Sequence, residues 1–193
     1  MEPDASGEPT AEERLVAAMA PILEAAEQGE ATIMGTLLDM AGLGVDTQGE
    51  DGDTPLHISC LYGQLACVQE CLRRGASAAA CDEDGSTPLH DACAGGHYEI
   101  AKLLLDQGAP IFVADSDGDT PMHNAANGGH GHVAELLLTR AGEQAAAQML
   151  AAQNSNGARP VDLAEDPTLV TQLTIAAGGG ADDADGPSSK RRA

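Results

Sequence analysis

The chain has 193 residues, the size of one domain, and its two tyrosines, one phenylalanine and absent tryptophan rule out a large aromatic core. A formal charge of −22, from 31 acidic against nine basic residues, argues against a nucleic-acid partner, because phosphate binding needs clustered Lys and Arg to displace counterions. No stretch is long and apolar enough for a membrane span. The first 20 residues do not read as a secretion signal, and five cysteines, an odd number, then point to a reducing compartment: cytoplasm, with the nucleus as alternative.

In chain order, residues 1–10 contain nothing to pack and are expected to be disordered. Thr10-Ala11-Glu12-Glu13 reads as a capping box, and Leu15, Val16, Met19, Ile22 and Leu23 fall on one helical stripe. An N-terminal cap is expected over 11–48, kinked or interrupted at Pro21. Within it, Leu37-Leu38 and Gly42 through Asp46 look like the end of a second helix and its loop, with one extra residue before the glycine.

A repeat follows. Thr54-Pro55-Leu56-His57, Thr87-Pro88-Leu89-His90 and Thr120-Pro121-Met122-His123 are spaced 33 residues apart. Each follows an Asp-Gly pair (Asp51-Gly52, Asp84-Gly85, Asp117-Gly118) and precedes a glycine nine residues past its threonine (Gly63, Gly96, Gly129). Asp-Gly suits a tight turn, threonine an N-cap, proline the first helical position, and the glycine a helix end. A second helix is visible in Glu99 through Leu105 and Val133 through Leu138, and Gly75 and Gly108 end it in the first two copies. The unit is turn, helix, turn, helix. Neither helix can bury its apolar face alone, so the units must stack.

This pattern resembles the ankyrin repeat family over residues 49–140, most closely in Gly96-His97, Leu103-Leu104-Leu105 and Gly108-Ala109 of the middle copy. The fold class is therefore an all-α repeat solenoid. Full repeats are expected over about 49–81, 82–114 and 115–153. A degraded copy, Asn156 through Ala164, then begins a C-terminal cap over 154–174, with Pro167 opening a short helix through Leu173. Its glycine lies 39 residues after Gly118, and the alanine-rich segment 141–152 that holds the six additional residues favours an extra or extended helix. Residues 175–193, an acidic tail ending in Lys190-Arg191-Arg192, are expected to be disordered, the basic cluster being either a soluble end or a fragment of an import signal.

Other constellations have simpler readings. His57, His90 and His123 recur with the unit, and the resemblance assigns them, with Thr54, Pro55, Thr87, Pro88, Thr120 and Pro121, to the structural motif, tying helix starts to turn backbone. Cys60 and Cys93 align with Ala126 and read as small core residues, and the Cys67, Cys71 spacing matches no structural zinc pattern. Gly129-His130-Gly131-His132 is a weak metal motif. Asp115-Ser116-Asp117-Gly118-Asp119 places its glycine fourth where a calcium loop needs it sixth. With no paired nucleophile and base and no phosphate loop, neither an enzyme, a metal site nor a cofactor is expected.

The resemblance also implies where a partner would bind: the residues flanking the turn glycine, and the pair before the helix-ending glycine, line the concave face. Here they are Glu50, Asp51, Asp53, Leu61 and Tyr62, then Glu83, Asp84, Ser86, Ala94 and Gly95, then Ser116, Asp117, Asp119, Asn127 and Gly128. Carboxylates dominate the tips, with one apolar and aromatic spot at Leu61 and Tyr62. The expected function is a monomeric adaptor or scaffold for a basic protein segment, with a dedicated chaperone of a basic client such as a ribosomal protein, or a regulatory subunit, as alternatives.

Overall fold

A computed structural model describes residues 10–178, and among them are eleven helices and no strand. The tail beyond 178, with its basic cluster, and residues 1–9 lie outside the described residues. Helix α1 is Ala11–Glu27 and α2 Ala31–Ala41. The three repeats supply α3 Pro55–Leu61 with α4 Leu65–Arg73, α5 Pro88–Ala94 with α6 Tyr98–Asp106, and α7 Pro121–Asn127 with α8 Gly131–Ala141. Helices α9 Glu143–Ala151, α10 Pro160–Leu163 and α11 Pro167–Ala176 complete the chain.

Contacts between neighbours sort the helices into two layers. The inner layer runs α1, α3, α5, α7, α10 and the outer one α2, α4, α6, α8. Between the layers the side chains recur in register. Leu56, Leu89 and Met122 form one fully buried column, and Cys71, Leu104 and Leu137 another, each at 33-residue spacing. Cys67, Ile100 and Val133 make a third, so the repeat cysteines occupy core positions equivalent to aliphatic residues. Desolvation pushes the Cys71 thiol up to about 12 and that of Cys60 well above its ordinary range, which keeps both as neutral packing groups.

The ends adapt this register. The capping box forms: Thr10 Oγ1 accepts from Glu13 N (3.1 Å), and Glu13 Oε2 accepts from Thr10 N (2.7 Å). Helix α1 runs through Pro21 without interruption, as the proline lies on an exposed side while Met19, Ile22, Ala25 and Ala26 are buried. Met34, Leu38 and Gly42 stand 33 residues before Cys67, Cys71 and Gly75, so the one extra residue of this unit lies upstream, between Gly29 and Met34. Arg74 ties the cap on, its guanidinium pairing with Asp39 of α2 (2.7 Å) and Glu70 of α4 (2.7 Å). Gly35 makes room for it, since a Cβ there would lie 2.8 Å from the Arg74 guanidinium.

At the far end the alanine-rich insertion is a separate helix, α9, divided from α8 at Gly142 and packed on α8, α10 and α11. Helix α11 continues to Ala176, three residues past Leu173, with Leu169 and Leu173 buried.

Candidate functional site: the concave surface

The concave surface is built by the turns and the inner helices, and one hydrogen-bond unit made three times holds it. Thr54 N donates to His57 Nδ1 (3.2 Å), Thr87 N to His90 Nδ1 (3.0 Å) and Thr120 N to His123 Nδ1 (3.1 Å). A backbone N–H can only donate, so Nδ1 must be the acceptor and the proton sits on Nε2. That Nε2–H then donates across to the next turn, to the carbonyls of Ser86 (3.3 Å), Asp119 (3.2 Å) and Ala158 (3.2 Å). Burial lowers the pKa of His57 and His90, so both stay neutral in this role.

The turns are also joined directly. Glu83 N donates to the Asp51 carbonyl (3.4 Å), Ser116 N to that of Asp84 (2.7 Å) and Ser155 N to that of Asp117 (2.8 Å). Gly52 is required at this approach: its φ is +78°, and a Cβ there would lie 2.6 Å from Glu83 N. Asp82, Asp115 and Asn154 close their own turns, their side-chain Oδ1 accepting from Ser86 N (2.8 Å), Asp119 N (2.9 Å) and Ala158 N (3.0 Å). These three closers were not among the expected site residues, although their common place in the repeat was a readable signal.

Against this frame the expected partner-facing residues divide. Glu50, Asp51, Glu83, Asp84, Ser116 and Asp117 are exposed along the tips. Asp53 is half-buried, and desolvation together with Asp82, Asp51 and Asp84 pushes its carboxyl up to about 6. Asp119 is half-covered and accepts from Asn154 Nδ2 (2.8 Å). Ser86 is half-buried with its backbone engaged on both sides.

At the other end of the inner helices, Leu61, Tyr62, Ala94, Asn127 and Gly128 are exposed, Leu61 by 42% and Tyr62 by 49%. Gly95 and Gly128 serve a structural purpose here, leaving space for the rings of His97 and His130. Those imidazoles donate from Nε2 to the carbonyls of Leu61 (3.1 Å) and Ala94 (3.0 Å) in the preceding repeat. His132 does the same to Gly96 (3.1 Å), and Gln64 Nε2 to Glu27 (2.6 Å), so these side chains are staples between units.

Tips and apolar spot lie at opposite ends of seven-residue helices, about 10 Å apart at 1.5 Å per residue. The floor between them is the column following the histidines: Ile58, Asp91 and Asn124. Asp91 departs from its column most. Its Oδ2 is sealed from solvent with no hydrogen-bond partner, and burial, with Asp53 and Asp82 nearby, pushes its carboxyl up to about 8. Among the described residues no His, Cys, Asp and Glu group of three or more is placed to hold a metal ion. No helix among them is long and apolar enough to cross a membrane.

In comparisons with known proteins, a family model for ankyrin repeats in three copies matches residues 22–115, and a single-repeat model of that family matches residues 117–155. No curated protein matches the chain.

Proposed function

The chain belongs to the ankyrin repeat family, whose members are modules for protein–protein interaction, and we propose that it is a non-enzymatic adaptor whose concave face takes a basic segment of a partner protein. The observation that carries this reading is the row of exposed carboxylates, Glu50, Asp51, Glu83, Asp84 and Asp117, fixed by the backbone bonds between turns. Their backbones build the ladder while their side chains remain in solvent, so the charge is displayed on a rigid frame. Such a row speeds encounter with a basic partner, and the half-exposed Tyr62 beside Leu61 is suited to anchor it, supplying area and one hydroxyl with few rotatable bonds. A reducing compartment, cytoplasm or nucleus, fits the five free thiols.

A chaperone for one strongly basic client is the second reading, favoured by the net charge of −22. The test is an affinity capture comparing the wild type with Leu61→Ala/Tyr62→Ala and with Asp51→Asn/Asp84→Asn/Asp117→Asn. Both variants should lose the captured partner. Identical capture by all three proteins sinks the concave-face reading. One stoichiometric client whose solubility depends on the complex selects the chaperone; several stable partners select the adaptor.

A further inference from the structure

Asp91 lies in the first turn of α5, where the helix dipole favours an acid, but the repeat itself does not demand one. One repeat earlier its place holds Ile58 and one repeat later Asn124, so the scaffold accepts an apolar or a neutral side chain there. An enclosed carboxylate oxygen without a partner is costly, because it has given up water and received nothing in return. The charged groups acting on it, Asp53 and Asp82 in the turns, make matters worse.

The elements packed around it offer no cation. From α3 come His57 and Cys60, on α5 itself His90 and Cys93, and from α7 His123 and Asn124. The three imidazoles have their Nε2–H committed to turn carbonyls, and both thiols are held protonated by burial. Helix α6 contributes Lys102, which is exposed in the outer layer in a groove it shares with Glu99 and Asp106. Asp91 keeps partial exposure on the floor of the concave face, beside the acidic tips.

We propose that Asp91, with Asp53 and Asp82 beside it, is the receptor for one arginine side chain of the basic partner segment. This rests on the concave-face reading above and names the group that would confer specificity within it. Arginine is favoured over lysine because a planar guanidinium is weakly hydrated, enters a half-closed site at lower desolvation cost, and divides its donors among several carboxylates. Binding then converts the acid to a carboxylate: the Asp91 proton leaves to solvent as the cation arrives. Affinity should rise with pH until the free site has already lost its proton, around pH 8.

The test uses the full chain and acetylated hexa-arginine, hexa-lysine and hexa-citrulline as probes, with affinities measured by calorimetry from pH 6 to 9. Wild type should prefer hexa-arginine over hexa-lysine by about tenfold or more, as expected for a charge-assisted bidentate contact, and the preference should grow from pH 6 to 8. Asp91→Asn, which copies Asn124, should lose both the preference and its pH dependence with no fall in melting temperature. Glu143→Gln, exposed at the start of α9 and away from the concave face, should retain both.

Equal binding of the two cationic peptides to wild type and Asp91→Asn overturns the receptor while leaving the acidic-face reading intact. No binding of either peptide to wild type removes both. Replacing Lys190, Arg191 and Arg192 by alanine addresses the remaining source of guanidinium. If that change raises hexa-arginine affinity several-fold in wild type but not in Asp91→Asn, the occupant is the chain's own terminus and the partner assignment falls. Unchanged affinity supports the partner.

Discussion

The inner and outer layers of this stack obey different rules. In the inner layer the three repeat helices all have seven residues and open on a proline, and Thr and His make the same bonds in each copy. In the outer layer the helices have nine, nine and eleven residues, and inter-unit ties vary between Arg74 with Asp39 and Arg140 with Asp106 (2.6 Å). The difference follows from hydrogen-bonding demand. Every helix leaves its end groups unpaired, and in a seven-residue inner helix these are most of the helix, so side chains meet them at fixed places. The longer outer helices carry one recurring staple at their start (Gln64, His97, His130) and otherwise need an apolar stripe. A residue that breaks the inner pattern is therefore informative, while one that breaks the outer pattern is ordinary.

The shared core should show the largest effect. Leu104 is fully buried at the middle of the stack, and Leu104→Ala should cost about 2–5 kcal/mol in chemical denaturation. The loss should be felt by both flanking repeats, since each is stabilised by its neighbour. A variant that melts as the wild type does would contradict the packing of α4, α6 and α8 as one layer.

Next comes the inner frame. His90→Ala would leave Thr87 N without its partner and remove one of the two donors to the Asp119 carbonyl, which keeps Asp115 N, at a cost of about 1–3 kcal/mol. The adjacent Asp91→Asn should do the opposite. A carboxyl with a raised folded pKa keeps a proton that the unfolded chain releases above about pH 4, so it destabilises the fold increasingly as pH rises towards 8. The stability gained by Asp91→Asn should accordingly grow from pH 4 to 8 and then level off. His57 and His90, whose lowered pKa values favour folding above about pH 6.5, are common to both proteins and cancel in the difference. A gain independent of pH would mean that Asp91 is ionised in the free protein.

Smaller still is the outer tie. Arg74→Ala should cost about 1 kcal/mol or less, as its partners are solvated, and the effect should shrink with added salt. The smallest effect on stability belongs to the tips: Asp84→Asn should leave the melting temperature within about a degree while slowing association with a basic partner, most visibly at low ionic strength.

The inner frame was legible because periodicity itself is a structural statement: Thr54, His57 and their copies recur, and recurrence together with the family resemblance assigned them to the fold. The alanine-rich segment was legible as helix through its composition. Less could be read at the site. Asp53 and Asp119 looked like free rim carboxylates because the sequence shows neither the desolvation of the first nor the Asn154 contact of the second. Asp91 stands out only against its own column, where Ile58 and Asn124 mark it as the exception, and its burial has no signature in the sequence. Pro21 does not interrupt α1, because the backbone bond it forgoes is offset by the packing of Met19, Ile22, Ala25 and Ala26 on the buried side.

Helix α9 shows how this protein measures its own length. Six additional residues lie between the third and fourth turns, yet Ser155 N still reaches the Asp117 carbonyl and His123 still reaches Ala158. The stack counts turns and inner columns, not residues, and tolerates surplus chain wherever it leaves through the outer layer. The connection at Gly142 is thus a natural port. A reporter or second binding segment grafted there would ride on the convex side, indexed to the third repeat, with the concave face left undisturbed.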